Sequence, residues 1–386
     1  MPADRLDAWI DAHCALWRTR GFDTALGGFH ERLGAAGDPL PMPQRRLMVQ
    51  CRQIYVHCRV ASELGGRDGL DEAARAFALV SKRFHDERNG GFYFSIAPDG
   101  APYDRTKDLY AHAFVLVAVA AVHRATADPA ARRLASEATE MLEQRFAAAV
   151  DRGYAERMTE DWRRISGPRL QNPHMHLMEG FLALSQATGG REFESYAGNL
   201  LALFDERIYD KTTHTVGERF AEDWSPSADR GDVVEPGHHF EWAWLLWGLA
   251  AQFEWRSSAT VAVRLHDWAM RHGIDRQNGG VWDEARRDGS VVTANKRIWP
   301  LCEAIRSVAA RLRQNIATDT AERRVLSGFV DLLFERYLKP DGTWIEQYDR
   351  DWRPLVTELP GSTGYHVVSA LLDARSALTP RSPSPR

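Results

Sequence analysis

The sequence predicts an all-α protein, a closed (α/α)6 barrel of six helical hairpins with short β-hairpins in the connecting loops. Three observations point there. The chain repeats at about 63 residues, each repeat holds two helical segments, and one of the two is often too apolar to face water.

The repeat shows first in Asp86-Glu87-Arg88-Asn89-Gly90-Gly91-Phe92, which returns 189 residues later as Asp275-Arg276-Gln277-Asn278-Gly279-Gly280-Val281. Stepping by a third of that offset meets Gly28, Gly91, Gly153, Gly217, Gly280 and Gly342, with gaps of 63, 62, 64, 63 and 62. Each is followed by aromatic, apolar or acidic residues.

The elements follow in order. Residues 4–20 place Leu6, Trp9, Ile10, His13, Leu16 and Trp17 on one face, the spacing of an amphipathic helix. Further helices are expected at 43–64, 67–86, 108–125, 128–148, 173–188, 190–208, 238–255, 257–272, 298–316, 318–337 and 364–378. Gly65-Gly66 and Gly189-Gly190 stop paired helices. The stretch 91–100, glycine at both ends, reads as a hairpin. The segments starting at 108, 173, 238 and 298 are rich in apolar or small residues and suit an inner layer, while the intervening ones carry more Arg and Glu. No polar capping repeat is evident, which favours closure over an open solenoid. One domain over 1–378 is expected, with a Pro-rich tail at 379–386 that cannot continue a helix and is expected to be disordered.

Composition narrows the function. Of 386 residues, 44% are hydrophobic and 26% charged, which suits a globular protein with a sizeable core. Lys+Arg 49 against Asp+Glu 53 leaves −4 and no basic run, which argues against nucleic-acid or anionic-membrane partners. The longest wholly apolar run, 113–122, is far short of a bilayer span, and no signal-peptide core opens the chain, so a cytoplasmic location is expected. Cys14, Cys51, Cys58 and Cys302 show no CxxC spacing and read as reduced core residues. No phosphate loop, GxGxxG or GxSxG occurs. Five lysines, with Lys107 and Lys296 near the mouth, make Schiff-base chemistry a poor prospect.

In a ring of hairpins the starts of the inner helices converge at one rim. Counting from the repeat glycines places Arg52, His112, His176, His238, Glu303 and His366 21 to 24 residues on, a nearly constant phase, with Trp299 one turn before Glu303. Polar side chains recurring in this way should meet in one funnel. His176-x-x-Glu179 and His238-x-x-Glu241 each share a helix face. Imidazoles, carboxylates, an arginine and indole rings can bind a polyol, and imidazole titrates where protons move to and from carbon beside a carbonyl. Taken singly, His57, His85 and His123 read as core residues. The HxxE pairs could instead hold a metal, although their order is the reverse of the Glu-x-x-His turns of di-iron bundles. His239 is expected to point off the mouth. Trp242 and Trp247 read as core, and Trp244, a turn beyond Glu241, as able to touch ligand.

The segments Asn172-Pro173-His174-Met175-His176-Leu177-Met178-Glu179, Pro236-Gly237-His238-His239-Phe240-Glu241-Trp242-Ala243-Trp244, Trp299-Pro300-Leu301-Cys302-Glu303 and Tyr365-His366 resemble the N-acylglucosamine 2-epimerase superfamily over nearly the full chain. The resemblance independently implies the (α/α)6 barrel. It implies that His238 and His366 are general acid/base residues, one of them supported by Glu241. It implies that Arg52 holds the sugar oxygens, and that Asn172, His176, Trp244, Trp299 and Glu303 bind sugar or assist ring opening. Tyr110 and His112 fall where a further sugar contact is expected. The segment Pro360-Gly361-Ser362-Thr363-Gly364-Tyr365-His366 is closest to the mannose isomerase branch, departing at Gly364, where proline is more typical. The expected activity is metal-independent, cofactor-free interconversion of D-mannose and D-fructose, and of D-lyxose and D-xylulose, through a cis-enediolate, by a monomer or homodimer. The alternatives are a 2-epimerase acting on cellobiose or an acylated hexosamine, an inverting glycoside hydrolase using Glu179, Glu241 or Glu303, and a sugar-binding toroid without turnover.

Overall fold

A computed structural model describes residues 3–148, 153–314 and 319–379. The end of the C-terminal tail, 380–386, lies outside the described residues, so its expected disorder stays an expectation. Twelve α-helices alternate between two layers. The outer ones are α1 (Ala3–Thr19), α3 (Leu70–Leu79), α5 (Pro129–Met141), α7 (Glu194–Leu203), α9 (Arg256–Trp268) and α11 (Asp319–Leu332). The inner ones are α2 (Leu47–Leu64), α4 (Leu109–Thr126), α6 (Gln171–Thr188), α8 (Pro236–Phe253), α10 (Ile298–Arg313) and α12 (Gly364–Leu378). Each inner helix packs on the next, and α12 returns to α2, so the ring is closed.

Burial explains the composition of the layers. α4 is hemmed by α2, α6 and the outer α5, and Ala111 through Ala120 are all buried. Its apolarity serves this packing, worth about 25 cal/mol per Å2 of surface removed from water. Outer helices bury one stripe, as α3 does with Ala73, Ala76 and Leu79. Five of them run on into a five-residue π-helical turn whose first and last residues are both buried, such as Val80 and Phe84 or Leu142 and Phe146. The wider turn points both side chains into the ring.

Short antiparallel ladders stitch neighbouring units together at the N-terminal ends of the inner helices. Arg45–Arg46 pairs with Ser95–Ile96, Lys107–Asp108 with Arg157–Met158, and Arg169–Leu170 with Arg219–Phe220. Val233–Val234 pairs with Glu284–Arg286 and Lys296–Arg297 with Gln347–Tyr348. Leu359–Pro360 then pairs with Arg32–Leu33 and closes the circle.

The pairing corrects the repeat register in two units. Phe29, Phe92, Tyr154, Val216, Val281 and Trp344 occupy one place, bridged to the end of the preceding helical element or the loop after it. Thr215 and Thr343, not Gly217 and Gly342, therefore stand where Gly91 stands. Gly91 needs its glycine: at φ 70°, an added Cβ would lie 2.8 Å from Trp162 and 3.2 Å from His112 Nε2.

Lys107 and Lys296 are buried structural plugs. Each meets an aspartate of the duplicated motif, Asp86 at 2.7 Å and Asp275 at 2.8 Å. Trp162 and Trp352 close over these pairs and donate their indole N–H to the carbonyls of Asn89 and Asn278.

Candidate active site

All six inner helices run in the same direction, so six N-termini converge at the mouth. Each contributes about half a positive charge, which favours an anion there. Helical phase then decides which side chains face the axis. The sixth residues of α2, α6, α8 and α10 are Arg52, His176, Glu241 and Glu303. The second residues of α4, α6 and α10 are Tyr110, Asn172 and Trp299, and the third residues of α8 and α12 are His238 and His366. His238 and His366 both approach Trp299, and His176 lies 3.8 Å from Glu241 on the helix of His238, so the three histidines gather at one end of the ring.

The cavity has two adjoining chambers that share Leu170 and Asn172. One of about 400 Å3 surrounds His238, and one of about 620 Å3 surrounds Arg52 and Tyr110. Arg52 donates to the Tyr110 hydroxyl at 2.7 Å and to the Ser362 carbonyl at 3.2 Å, and lies over the rings of Phe114 and Tyr365. The buried Asn172 Oδ1 has no hydrogen-bond partner, an acceptor open to a ligand hydroxyl. Trp299 is close to the two outermost histidines, its ring centroid 4.9 Å from His238 and 5.7 Å from His366.

These two histidines have opposite electrostatic surroundings. His238 Nδ1 lies 2.9 Å from Glu218 Oε2. Burial favours its neutral form, but the carboxylates of Glu218, Glu235 and Glu241 outweigh it and push the imidazole up to about 9. His366 Nδ1 lies 2.7 Å from Glu303 Oε1, yet burial and the cations Arg52 and Arg306 hold its pKa well below the usual value. At neutral pH one is an imidazolium and the other a neutral imidazole. A pair of titratable groups pushed apart in this way is the arrangement expected of a general acid facing a general base.

Behind them lies a buried network. Arg306 Nη1 donates to both oxygens of Glu303 at 2.9 Å. Glu179 accepts from His176 Nδ1 at 2.8 Å and from the Tyr365 hydroxyl. Burial raises the pKa of Glu179, but His176, Arg306 and Tyr365 outweigh it and hold the carboxyl down to about 2. Burial lowers the pKa of His176 despite that carboxylate.

Three assignments change. His112 is no sugar contact: its Nε2 accepts the Phe92 N–H at 3.0 Å and its Nδ1 faces the Asp108 carbonyl at 2.7 Å. It is the fourth residue of its helix, as are His174, His239 and Gln50, which accept the corresponding N–H of Tyr154, Val216 and Phe29. The nearly constant count thus mixed three helical positions, the third and sixth of the candidate site and the fourth, which is structural. Glu241 supports His238 through its charge and makes no hydrogen bond to either outer histidine. It approaches His176 Nε2 at 3.8 Å, its Oε1 is buried without a partner, and burial together with Glu303 raises its pKa well above the usual range. Trp244, the ninth residue of α8, lies deeper under the Arg306 guanidinium at 3.7 Å and faces the opposite end of the ring.

The sequence reading missed Glu218, Glu235 and Arg306. A signal for Glu218 existed. Two residues past the place of Phe29, five of the six units carry an acid: Glu31, Glu156, Glu218, Asp283 and Glu346. Four of them accept a backbone N–H at or just before the next inner helix, those of Arg46, Leu170, Glu235 and Arg297. Glu218 alone of these four also meets a histidine of the candidate site, His238. The register slip at Gly217 hid the pattern.

Two groups, Glu241–Glu303–His366 and Glu218–Glu235–His238, bring ligand atoms within 4.8 Å of one another and could hold a metal ion. Arg306 already compensates Glu303, while Arg297 pairs with Glu235 at 2.8 Å. The acid pair Glu241 and Glu303 is too close for inverting glycoside hydrolysis, which leaves about 6.5–9.5 Å between carboxyls for water.

Residues 27–370 match the family described as N-acylglucosamine 2-epimerase (GlcNAc 2-epimerase). The chain is 31% identical to a mannose-6-phosphate isomerase of Rhizobium meliloti over 98% of both proteins. It is 29% identical to a cellobiose 2-epimerase of Bacteroides fragilis over 60% of each. A crystal structure of D-mannose isomerase superposes with a TM-score of 0.88 at 21% identity, covering 97% of this chain and 98% of that one, which shows the common fold.

Proposed function

The chain belongs to the N-acylglucosamine 2-epimerase family of sugar epimerases and isomerases, and from that premise we propose that it interconverts D-mannose and D-fructose by histidine-mediated proton transfer. The observation that carries the proposal is the contrast between His238, hydrogen-bonded to Glu218 among carboxylates, and His366, buried beside two guanidinium groups, with both rings close to Trp299.

A pyranose lying against Trp299 presents its ring oxygen and anomeric hydroxyl to these groups. His238, as imidazolium, protonates the ring oxygen and takes the anomeric hydroxyl proton in exchange, which opens the ring and restores its charge. Neutral His366, its Nδ1 turned to Glu303, uses Nε2 to remove the proton from C2 of the open aldose. Arg52 and the converging helix N-termini stabilise the cis-enediolate, an effect worth about 3–4 kcal/mol per well-placed donor in comparable sites. His238 gives its proton to O1 and takes one from O2, while His366 returns the C2 proton to C1, which leaves the ketose. D-Lyxose, which shares the configuration at C2 and C3, passes by the same route to D-xylulose.

The side-chain charges of the mouth balance, which supports an uncharged sugar, the helix N-termini being left to the enediolate that forms on it. Arg46, Arg52, Arg157, Arg219 and Arg230 line the mouth against Asp108, Glu156, Glu218, Glu235 and Glu284. Arg46 and Arg230 are paired with Glu31 and Glu284. A D-mannose isomerase of Thermobifida fusca is 28% identical over 98% of this chain, which supports the isomerase outcome.

One observation favours a second reading. Both histidines approach Trp299, so a proton delivered by His238 to the other face of C2 would give the epimer. EDTA-treated enzyme incubated with D-mannose in deuterated water, with products followed by NMR, decides. Fructose labelled at C1 is the expected product, and glucose labelled at C2 would make the protein an epimerase. Neither product and no C–H exchange would overturn both readings.

A further inference from the structure

A cavity of about 520 Å3 lies at the end of the ring opposite the mouth. Its wall comes from the second halves of all six inner helices. Glu179 and Trp244 form its inner end, while Arg124 and Arg313 stand seven residues further along their helices, about 10 Å outward.

Its inner end is a buried charge cluster. Three guanidinium groups converge on Asp373: Arg59 at 2.7 Å, Arg313 at 3.0 Å and Arg306 at 3.5 Å. Arg306 lies behind the wall, its Nη2 3.9 Å from Glu179. Arg59, Glu63, Glu179, Arg313 and Asp373 reach the cavity itself and offer donors and acceptors to an occupant. Beside them Trp244 is half-buried, one face under Arg306.

Charge selects the ligand. Arg59, Arg124 and Arg313 in the wall are matched by Glu63, Glu179 and Asp373. Six helix C-termini point into this end and disfavour an anion, while the guanidinium groups disfavour a cation. Gln186, Gln252 and Gln314 add amides that can both donate and accept. We infer that this rear cavity is a second small-molecule site, taking an uncharged polyhydroxylated ligand such as a free sugar or sugar alcohol, and that the catalytic histidines sense its occupancy. Arg306, over Trp244, holds Glu303 and through it His366. Glu179, exposed to the cavity, holds His176 and Tyr365.

The test uses D-mannitol, which has no carbonyl and cannot turn over. Calorimetric titration of the full-length protein is expected to show two sites per chain. Ala251→Trp and Ala187→Trp, both in the rear wall and outside the catalytic machinery, are expected to show one while keeping their activity without mannitol. In the wild type mannitol lowers kcat as well as raising KM; in the variants it raises KM alone. One site in the wild type, two sites in both variants, or mannitol confined to the mouth while inorganic phosphate fills the rear would each overturn the inference. Stoichiometry is read without turnover, so the result stands apart from whether mannose is the substrate.

Discussion

His366 Nδ1 lies 2.7 Å from Glu303 Oε1, and that carboxylate is gripped from below by Arg306. The contact orients the ring so that Nε2 is left for substrate, while Arg306 and Arg52 keep the imidazole neutral. A hydrogen bond that usually raises a histidine's pKa thus coexists with a lowered one, because two cations and burial outweigh one carboxylate.

Replacing Glu303 by Gln should therefore lower kcat by about 10- to 100-fold, the usual cost of losing such an orienting partner, with a smaller effect on KM. Steady-state kinetics on the purified variant check this. A loss expressed only in KM would instead mark Glu303 as a sugar-binding group.

The acid role of His238 sets a limit at high pH. Activity should fall as pH rises through about 9, where the imidazolium is lost, and Glu218→Gln should move that limb of the kcat/KM profile downward. Stability has the same sign. The folded-state pKa is raised, so the contribution of His238 is fully present below about 6.5 and disappears as pH climbs through about 9. Thermal melts across pH 6–10 would show it, and a flat profile would contradict the carboxylate pairing.

Arg52 contacts Tyr110 and Ser362 and lines the cavity, and in the proposed mechanism it meets the enediolate. Arg52→Lys keeps the charge but not the planar fork, and kcat/KM should drop by about 100-fold or more. The readouts are turnover and the rate of C–H exchange in deuterated water, and both should fall together.

His112 should behave as a structural residue. His112→Ala removes a ring whose two nitrogens hold Phe92 and Asp108, costing about 2–4 kcal/mol of stability. His112→Gln should cost less, because Gln50 performs the corresponding task for Phe29 in the first unit. Denaturant melts rank the two, and the folded fraction of each should keep its KM.

Much of the architecture was legible in the chain. A period near 63 residues, apolar inner segments and glycine-marked turns determined a closed double ring of helices, because each hairpin can bury its apolar side only against its neighbours. The same period determined that Arg52, His176, His238, Glu303 and His366 would face one axis. Tertiary structure decided what spacing could not. A shift of one residue on a helix turns a side chain by about 100°, which separates His238 in the cavity from His239 in the wall, and a shift of two separates His176 from His174. The partners of the histidines come from other units, as Glu218 does for His238 and Glu303 for His366, and only closure of the ring puts those carboxylates and cations close enough to pull two imidazoles in opposite directions.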